Sequence, residues 1–147
     1  MASDSPLELI YQAHQLLSRM ESAPRDYGGG RPLFASEIHT LCMIAEHPGI
    51  NLTQLADCLN VSKSAVSKVV SKLMSSEYSE KRLADSNRKE VYFFVTARGK
   101  RAVQSHRQFH ERVFGPLYQR EAELGSKERE CIAGFLADLG AMLQGHD

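Results

Sequence analysis

Residues 51–76 read NLTQLADCLNVSKSAVSKVVSKLMSS. Asn51 and Gln54 occupy N-cap and N3 positions, which opens a short helix running through Leu59. Asn60-Val61 then makes a tight turn, and Ser62 caps a longer helix over about 62–76. Ala65, Val66, Val69, Val70 and Leu73 fall on one face of that helix. A short helix, a tight turn and a longer capped helix have the dimensions of a helix-turn-helix. The opposite face carries Lys63, Ser64, Ser67, Lys68, Ser71 and Lys72. Small hydroxyls and flexible cations suit phosphates and base edges, whereas bulky side chains would hold the helix out of a groove. A polar face alone marks any amphipathic surface helix. This one holds no acid between residues 62 and 76.

A change of pattern follows. Arg82-Leu83-Ala84 reads as a short strand, Asp85-Ser86-Asn87-Arg88 as a turn, and Val91-Tyr92-Phe93-Phe94-Val95 as a β-branched and aromatic strand. The result is a small hairpin with Arg88-Lys89 near its tip, a wing suited to placing a cation in the neighbouring minor groove.

Outward from this centre the chain is helical. Thr96 caps a fifth helix through Val103, Phe109, Val113 and Phe114, where Gly115-Pro116 predicts a kink or break. Ser126 opens a last helix carrying Ile132, Phe135, Leu136, Leu139, Met142 and Leu143. Upstream, Ser5-Pro6-Leu7-Glu8 predicts a capping box for a first helix with Leu9, Ile10, Ala13, Leu16, Leu17 and Met20 on its stripe. Pro24, Gly28-Gly29-Gly30 and Pro32 make a loop, and Ser36 is the expected cap of a second helix carrying Ile38, Leu41, Cys42 and Ala45 up to Pro48-Gly49. The fold class is mainly α with a small β-hairpin wing.

The 147 residues carry 18 Lys+Arg against 18 Asp+Glu, so the formal charge is zero. That balance conceals a polarity. Residues 61–107 hold eleven basic and four acidic side chains, a local charge of +7, which leaves −7 on the remainder. A positive field confined to one part points to a polyanion held there. No apolar run approaches the roughly 18 residues of a membrane span, and the N-terminus lacks a basic flank and apolar core. Cys42, Cys58 and Cys131 are odd in number and share no CxxC spacing, so a cytoplasmic setting with reduced thiols is expected.

The run Asn51-Leu52-Thr53-Gln54-Leu55-Ala56, continuing to Leu59-Asn60-Val61-Ser62-Lys63-Ser64-Ala65-Val66-Ser67, resembles the MarR family of transcription regulators. So does the wing Ala84-Asp85-Ser86-Asn87-Arg88-Lys89 closing into Phe94-Val95-Thr96-Ala97-Arg98-Gly99. The resemblance implies a winged helix-turn-helix domain over 36–96, with dimerisation elements in 1–35 and 97–147. It also implies that Lys63, Ser64, Ser67, Lys68 and Lys72 face the major groove, that Arg88 and Lys89 reach the minor groove, and that Asp85 braces the wing. Two-fold symmetry would set the reading helices one duplex turn, roughly 34 Å, apart on a pseudo-palindromic operator of double-stranded DNA. One departure stands out: the family usually has Gly followed by Leu or Ile after the reading helix, where this chain has Glu77-Tyr78, which predicts an altered approach to the wing.

The fifth helix holds the sharpest feature. Its inward heptad runs Val103, His106, His110, Val113, Leu117, with two imidazoles spaced i,i+4. Inward imidazoles either find hydrogen-bond partners or bind a metal. With His39 and with Glu21, eighteen residues before it, the pair resembles the zinc-responsive AdcR-like branch of the family. That resemblance implies a Zn(II) site of Glu21, His39, His106 and His110. Ile38 and Ser105 stand where the branch has acids, so its second metal site is not expected. Alternatives remain open at this level: release from DNA by a phenolic or aromatic anion lined by Tyr11, Tyr27 and Phe34, a cysteine-based sensor, Cys42 as a supplementary metal ligand, a zinc-dependent hydrolase, or a protein–protein adaptor. The hydrolase lacks a His-Glu-x-x-His arrangement and a nucleophile–base pair.

Overall fold

The computed structural model describes residues 5–83 and 90–145. Its elements in chain order are α1 (Pro6–Ser22), α2 (Ala35–Glu46), β1 (Ile50–Asn51), α3 (Leu52–Leu59), α4 (Lys63–Ser75), β2 (Ser79–Leu83), β3 (Val91–Val95), α5 (Ala97–Glu123) and α6 (Ser126–Gln144). The chain divides into two units, one ending at Arg107 and one beginning at Gln108, with α5 running through the division.

In the first unit, α2 is the spine between two apolar clusters. One gathers Leu33, Ile38, Leu41, Leu73, Tyr78, Ala102 and Val103; the other gathers Ile44, Ile50, Leu55, Ala56, Val66, Val70 and Phe93. The small sheet has the order β1-β3-β2, with Ile50 opposite Phe93 and Lys81 opposite the same residue on the other side. The hairpin of β2 and β3 was expected; β1 was not. A two-residue strand has no periodicity to read, and it exists because Ile50 pairs with a strand some forty residues away. β2 also starts earlier than Arg82, at Ser79.

Local capping explains most helix starts. Asn51 and Gln54 exchange hydrogen bonds at 3.1 and 2.9 Å. The Ser62 hydroxyl accepts from Ala65 N at 3.2 Å, and Thr96 Oγ1 accepts from Gly99 N at 3.1 Å. Asn60 takes the left-handed conformation (φ 53°), which asparagine tolerates, and so turns α3 into α4.

Several sequence expectations need correction. Ser5 precedes α1 but makes no side-chain cap. Ser36 lies inside the first turn of α2; the cap is the Glu37 carboxylate, which accepts from Phe34 N at 3.0 Å. Ala65 is exposed rather than inward, because the core contacts of α4 are made by Val66, Val70 and Leu73. Gly115-Pro116 does not break α5: only one backbone donor is lost at Pro116, and the helix continues to Glu123. Cys58, which falls on the apolar side of α3 by sequence and so reads as a packing residue, is exposed.

The approach to the wing turns at Glu77, the point of departure from the family pattern. That residue is left-handed (φ 60°), the conformation a glycine would adopt freely, and its strain is held by the bonds around it. Thr96 Oγ1 donates to the Glu77 carbonyl at 2.7 Å, and Thr96 N donates to the Tyr78 carbonyl at 3.1 Å.

In the second unit, α6 begins at Ser126, as expected, with Gly125 as N-cap and its N–H bonded to Glu128 at 2.7 Å. An apolar groove of about 640 Å³ runs between the end of α5 and α6, with Leu117, Leu124, Ile132 and Leu136 among its lining.

Candidate nucleic-acid interface and histidine cluster

On α4, Lys63, Ser64, Lys68, Ser71 and Lys72 are exposed and Ser67 is half-buried. Among the described residues none of the three lysines is in an ion pair. Two hydroxyls are drawn back to their own helix: Ser64 Oγ lies 3.1 Å from Ser62 Oγ, and Ser71 Oγ donates to the Ser67 carbonyl at 2.8 Å. The face is therefore short and cationic, as a helix entering a groove requires. Asp85, Arg88 and Lys89 lie outside the described residues.

Lys81 is a residue that sequence reading passed over. It lines a groove of about 500 Å³ shared with Ser67 and Ser71 of α4 and with Thr53 of α3. Its position two residues into β2 shows only once the register is known. Arg82, beside it, is engaged otherwise: it pairs with Glu80 at 2.6 Å and stacks on Phe94 at 4.3 Å.

The junction leading into the wing is tied to the loop before α2 by Tyr78, whose hydroxyl donates to the Arg31 carbonyl at 3.2 Å. Asp26 Oδ1 accepts the N–H groups of Gly28, Gly29 and Gly30 at 2.8, 3.1 and 3.3 Å. Arg31 pairs with Glu37 at 2.7 Å. Burial alone would raise the Glu37 carboxyl, but the Arg31 hydrogen bond and the Phe34 N–H outweigh it and hold it below its ordinary value.

The structure brings together three of the four residues implied for a metal. His39 on α2 and His106 on α5 face each other with ring centroids 5.4 Å apart. His110 follows one helical turn along α5, and one ligand atom from each of the three imidazoles lies within 4.8 Å of the others. Glu21, near the end of α1, stands beside this group, its Oε1 4.0 Å from His39 Nε2. Tyr27 packs edge-on against His106 at 5.3 Å and is buried, so it belongs to the core, while Tyr11 and Phe34 are exposed. Burial pushes the Cys42 thiol up to about 11, with Glu46 adding to the shift, which leaves it a neutral packing group.

A short helix, a left-handed turn, an exposed cationic helix and a β-hairpin together define a winged helix-turn-helix DNA-binding protein. Residues 33–91 match the model of the MarR family. The HTH-type transcriptional regulator PchR of Bacillus subtilis is 30% identical over 113 residues, covering 77% of this chain and 67% of PchR. The chain belongs to the MarR family of transcriptional regulators. It spans about two thirds of the length of the curated relatives it matches. Among solved structures, the adhesin competence repressor AdcR of Streptococcus pyogenes shares the fold with TM-score 0.75 and 20% identity, covering 96% of this chain and 98% of AdcR. ZitR of Lactococcus lactis, a zinc-responsive MarR family member, shares it in complex with DNA with TM-score 0.72 and 20% identity, covering 96% and 99%. These relatives are regulators of transcription, not enzymes. No helix among the described residues is long and apolar enough to cross a membrane.

Proposed function

We propose that this chain is a zinc-responsive transcription repressor that binds a pseudo-palindromic operator as a homodimer in the cytoplasm. The observation that carries the zinc reading is the meeting of His39, His106 and His110, with Glu21 against His39. Three neutral imidazoles and one carboxylate are the donor set of a tetrahedral Zn(II) site, whose donors lie roughly 3.4 Å apart. The imidazole atoms are already within 4.8 Å, a gap that small side-chain rotations close. Bound zinc would act as a structural cross-link between α1, α2 and α5, supplying no reaction. Such a cross-link changes DNA affinity only if it fits the DNA-competent arrangement better than the other. In this reading, following the resemblance to the AdcR-like branch, zinc is assigned to favour the DNA-bound form.

For DNA, Lys63, Ser64, Ser67, Lys68 and Lys72 are assigned to the major groove and Lys81 to a flanking phosphate. Arg88 and Lys89 are assigned to the minor groove, braced by Asp85. The homodimer reading rests on apolar surface in the two end segments, 1–35 and 97–147. No residue of α1 is buried, although Leu9 and Leu16 are 50% and 64% exposed, and on α6 Phe135 and Leu143 are 44% and 62% exposed. Surface of that kind, rimmed by charge, marks an interface.

The test is the metal content of purified protein beside a His106→Ala/His110→Ala variant. Wild type retaining about one zinc per chain, and the variant none, supports the site. Equal content in the two discards it.

A further inference from the structure

We propose that Arg98 is the positioning residue that couples the histidine cluster to the DNA-reading helix. This rests on the zinc reading above and names how that site would regulate. The Arg98 guanidinium reaches two distant backbone segments at once. Nε donates to the Gly29 carbonyl at 3.0 Å, and Nη2 donates to the same oxygen. Nη1 donates in the other direction, to the carbonyl of Ser76, the C-cap of α4, at 2.9 Å. A cation at that position also meets the negative end of the reading helix. The planar group lies 4.7 Å over the Tyr78 ring, which fixes its plane.

On the loop side, the connection runs on to the cluster. Asp26 gathers the three glycine N–H groups, so residues 26–30 form one hydrogen-bonded turn. Tyr27 projects from that turn, buried, with its ring against His106. Any ligand that fixes the His106 imidazole therefore fixes the surface on which Tyr27 rests, and Gly29 with it. Arg98 carries the position of Gly29 to the end of α4. Tyr78 reinforces the same junction by donating its hydroxyl to the Arg31 carbonyl at 3.2 Å. A lysine offers one compact ammonium and cannot serve both carbonyls in the geometry of a guanidinium fork.

Arg98→Lys and Arg98→Ala variants of the full chain test this, with the lysine variant covering the case in which alanine does not fold. Zinc affinity is read by competition with a chromogenic chelator. Affinity for a duplex selected from random sequence is read with and without zinc. Amide hydrogen exchange is followed in the metal-free protein. Wild type is expected to gain about tenfold in duplex affinity with zinc, within the ordinary range of allosteric coupling. Arg98→Lys should keep wild-type zinc affinity within about threefold, yet lose the zinc-dependent gain to about twofold or less. Exchange should quicken together in residues 28–31 and 74–78. By reciprocity, duplex should tighten zinc in wild type and not in the variant. A lysine variant with the full zinc response, or with unchanged exchange in both segments, overturns the coupling alone. A wild-type chain that binds no zinc overturns the metal reading and this coupling with it.

Discussion

The Tyr78 hydroxyl fills the space that a side chain on Gly29 would occupy: a Cβ built there overlaps the phenol directly. The loop before α2 thus lies against the junction of α4 and the wing with no room between them. Gly29→Ala should cost about 1–3 kcal/mol, the range for overpacking a close contact, read as a lowered denaturation midpoint. A neutral substitution would mean that the loop is not seated on Tyr78.

Glu77 is held left-handed where the side chain brings little in return: it is 85% exposed and its 3.8 Å approach to Arg98 is solvent-screened. Glu77→Gly should stabilise the protein by about 1 kcal/mol through relief of that strain. Urea titration measures it. Destabilisation would assign the carboxylate a role that its exposure does not suggest.

The Glu37 carboxyl sits below its ordinary value, because Arg31 and Phe34 N–H prefer its charged form despite burial. A depressed carboxyl contributes stability above its unfolded value and loses it as pH falls through the folded one. Wild type should therefore lose stability on acidification below about pH 4.5, the ordinary value, and Glu37→Gln should be less stable at neutral pH with a flatter acid limb. Parallel acid limbs in the two proteins would contradict the assignment.

Lys68 and Lys72 are exposed on the helix assigned to DNA. Replacing either by alanine should weaken duplex binding across sequences and reduce the slope of log affinity against log salt by about 1. Wild-type slopes in both variants would remove α4 from the interface.

What was legible in the sequence was mostly local. The pairing of Asn51 with Gln54, the Ser62 and Thr96 caps and the Asn60 turn each depend on residues within three or four positions, and each formed. The i,i+4 imidazoles lie on one helix, so their spacing sufficed to predict a shared face. Most of the misses came from long-range forces. Ile50 is a strand only because Phe93 pairs with it. The Ser36 miss was local: Glu37, three residues from Phe34, takes the cap with a carboxylate that also holds Arg31. Arg98 looked like one more cation in a basic stretch, because its partner Gly29 is 69 residues away. Glu77 marked an unusual substitution, but identity alone did not show that the backbone would keep the glycine-like conformation.

In the proposed function, zinc at the histidine cluster sets the affinity of the cationic helix for DNA. The most direct test is binding of a selected duplex by metal-free wild type as zinc is added. A rise in affinity of about tenfold, saturating near one zinc per chain and absent in His106→Ala/His110→Ala, is the predicted result. Affinity that stays level through saturation, or that rises equally in the double variant, would contradict it.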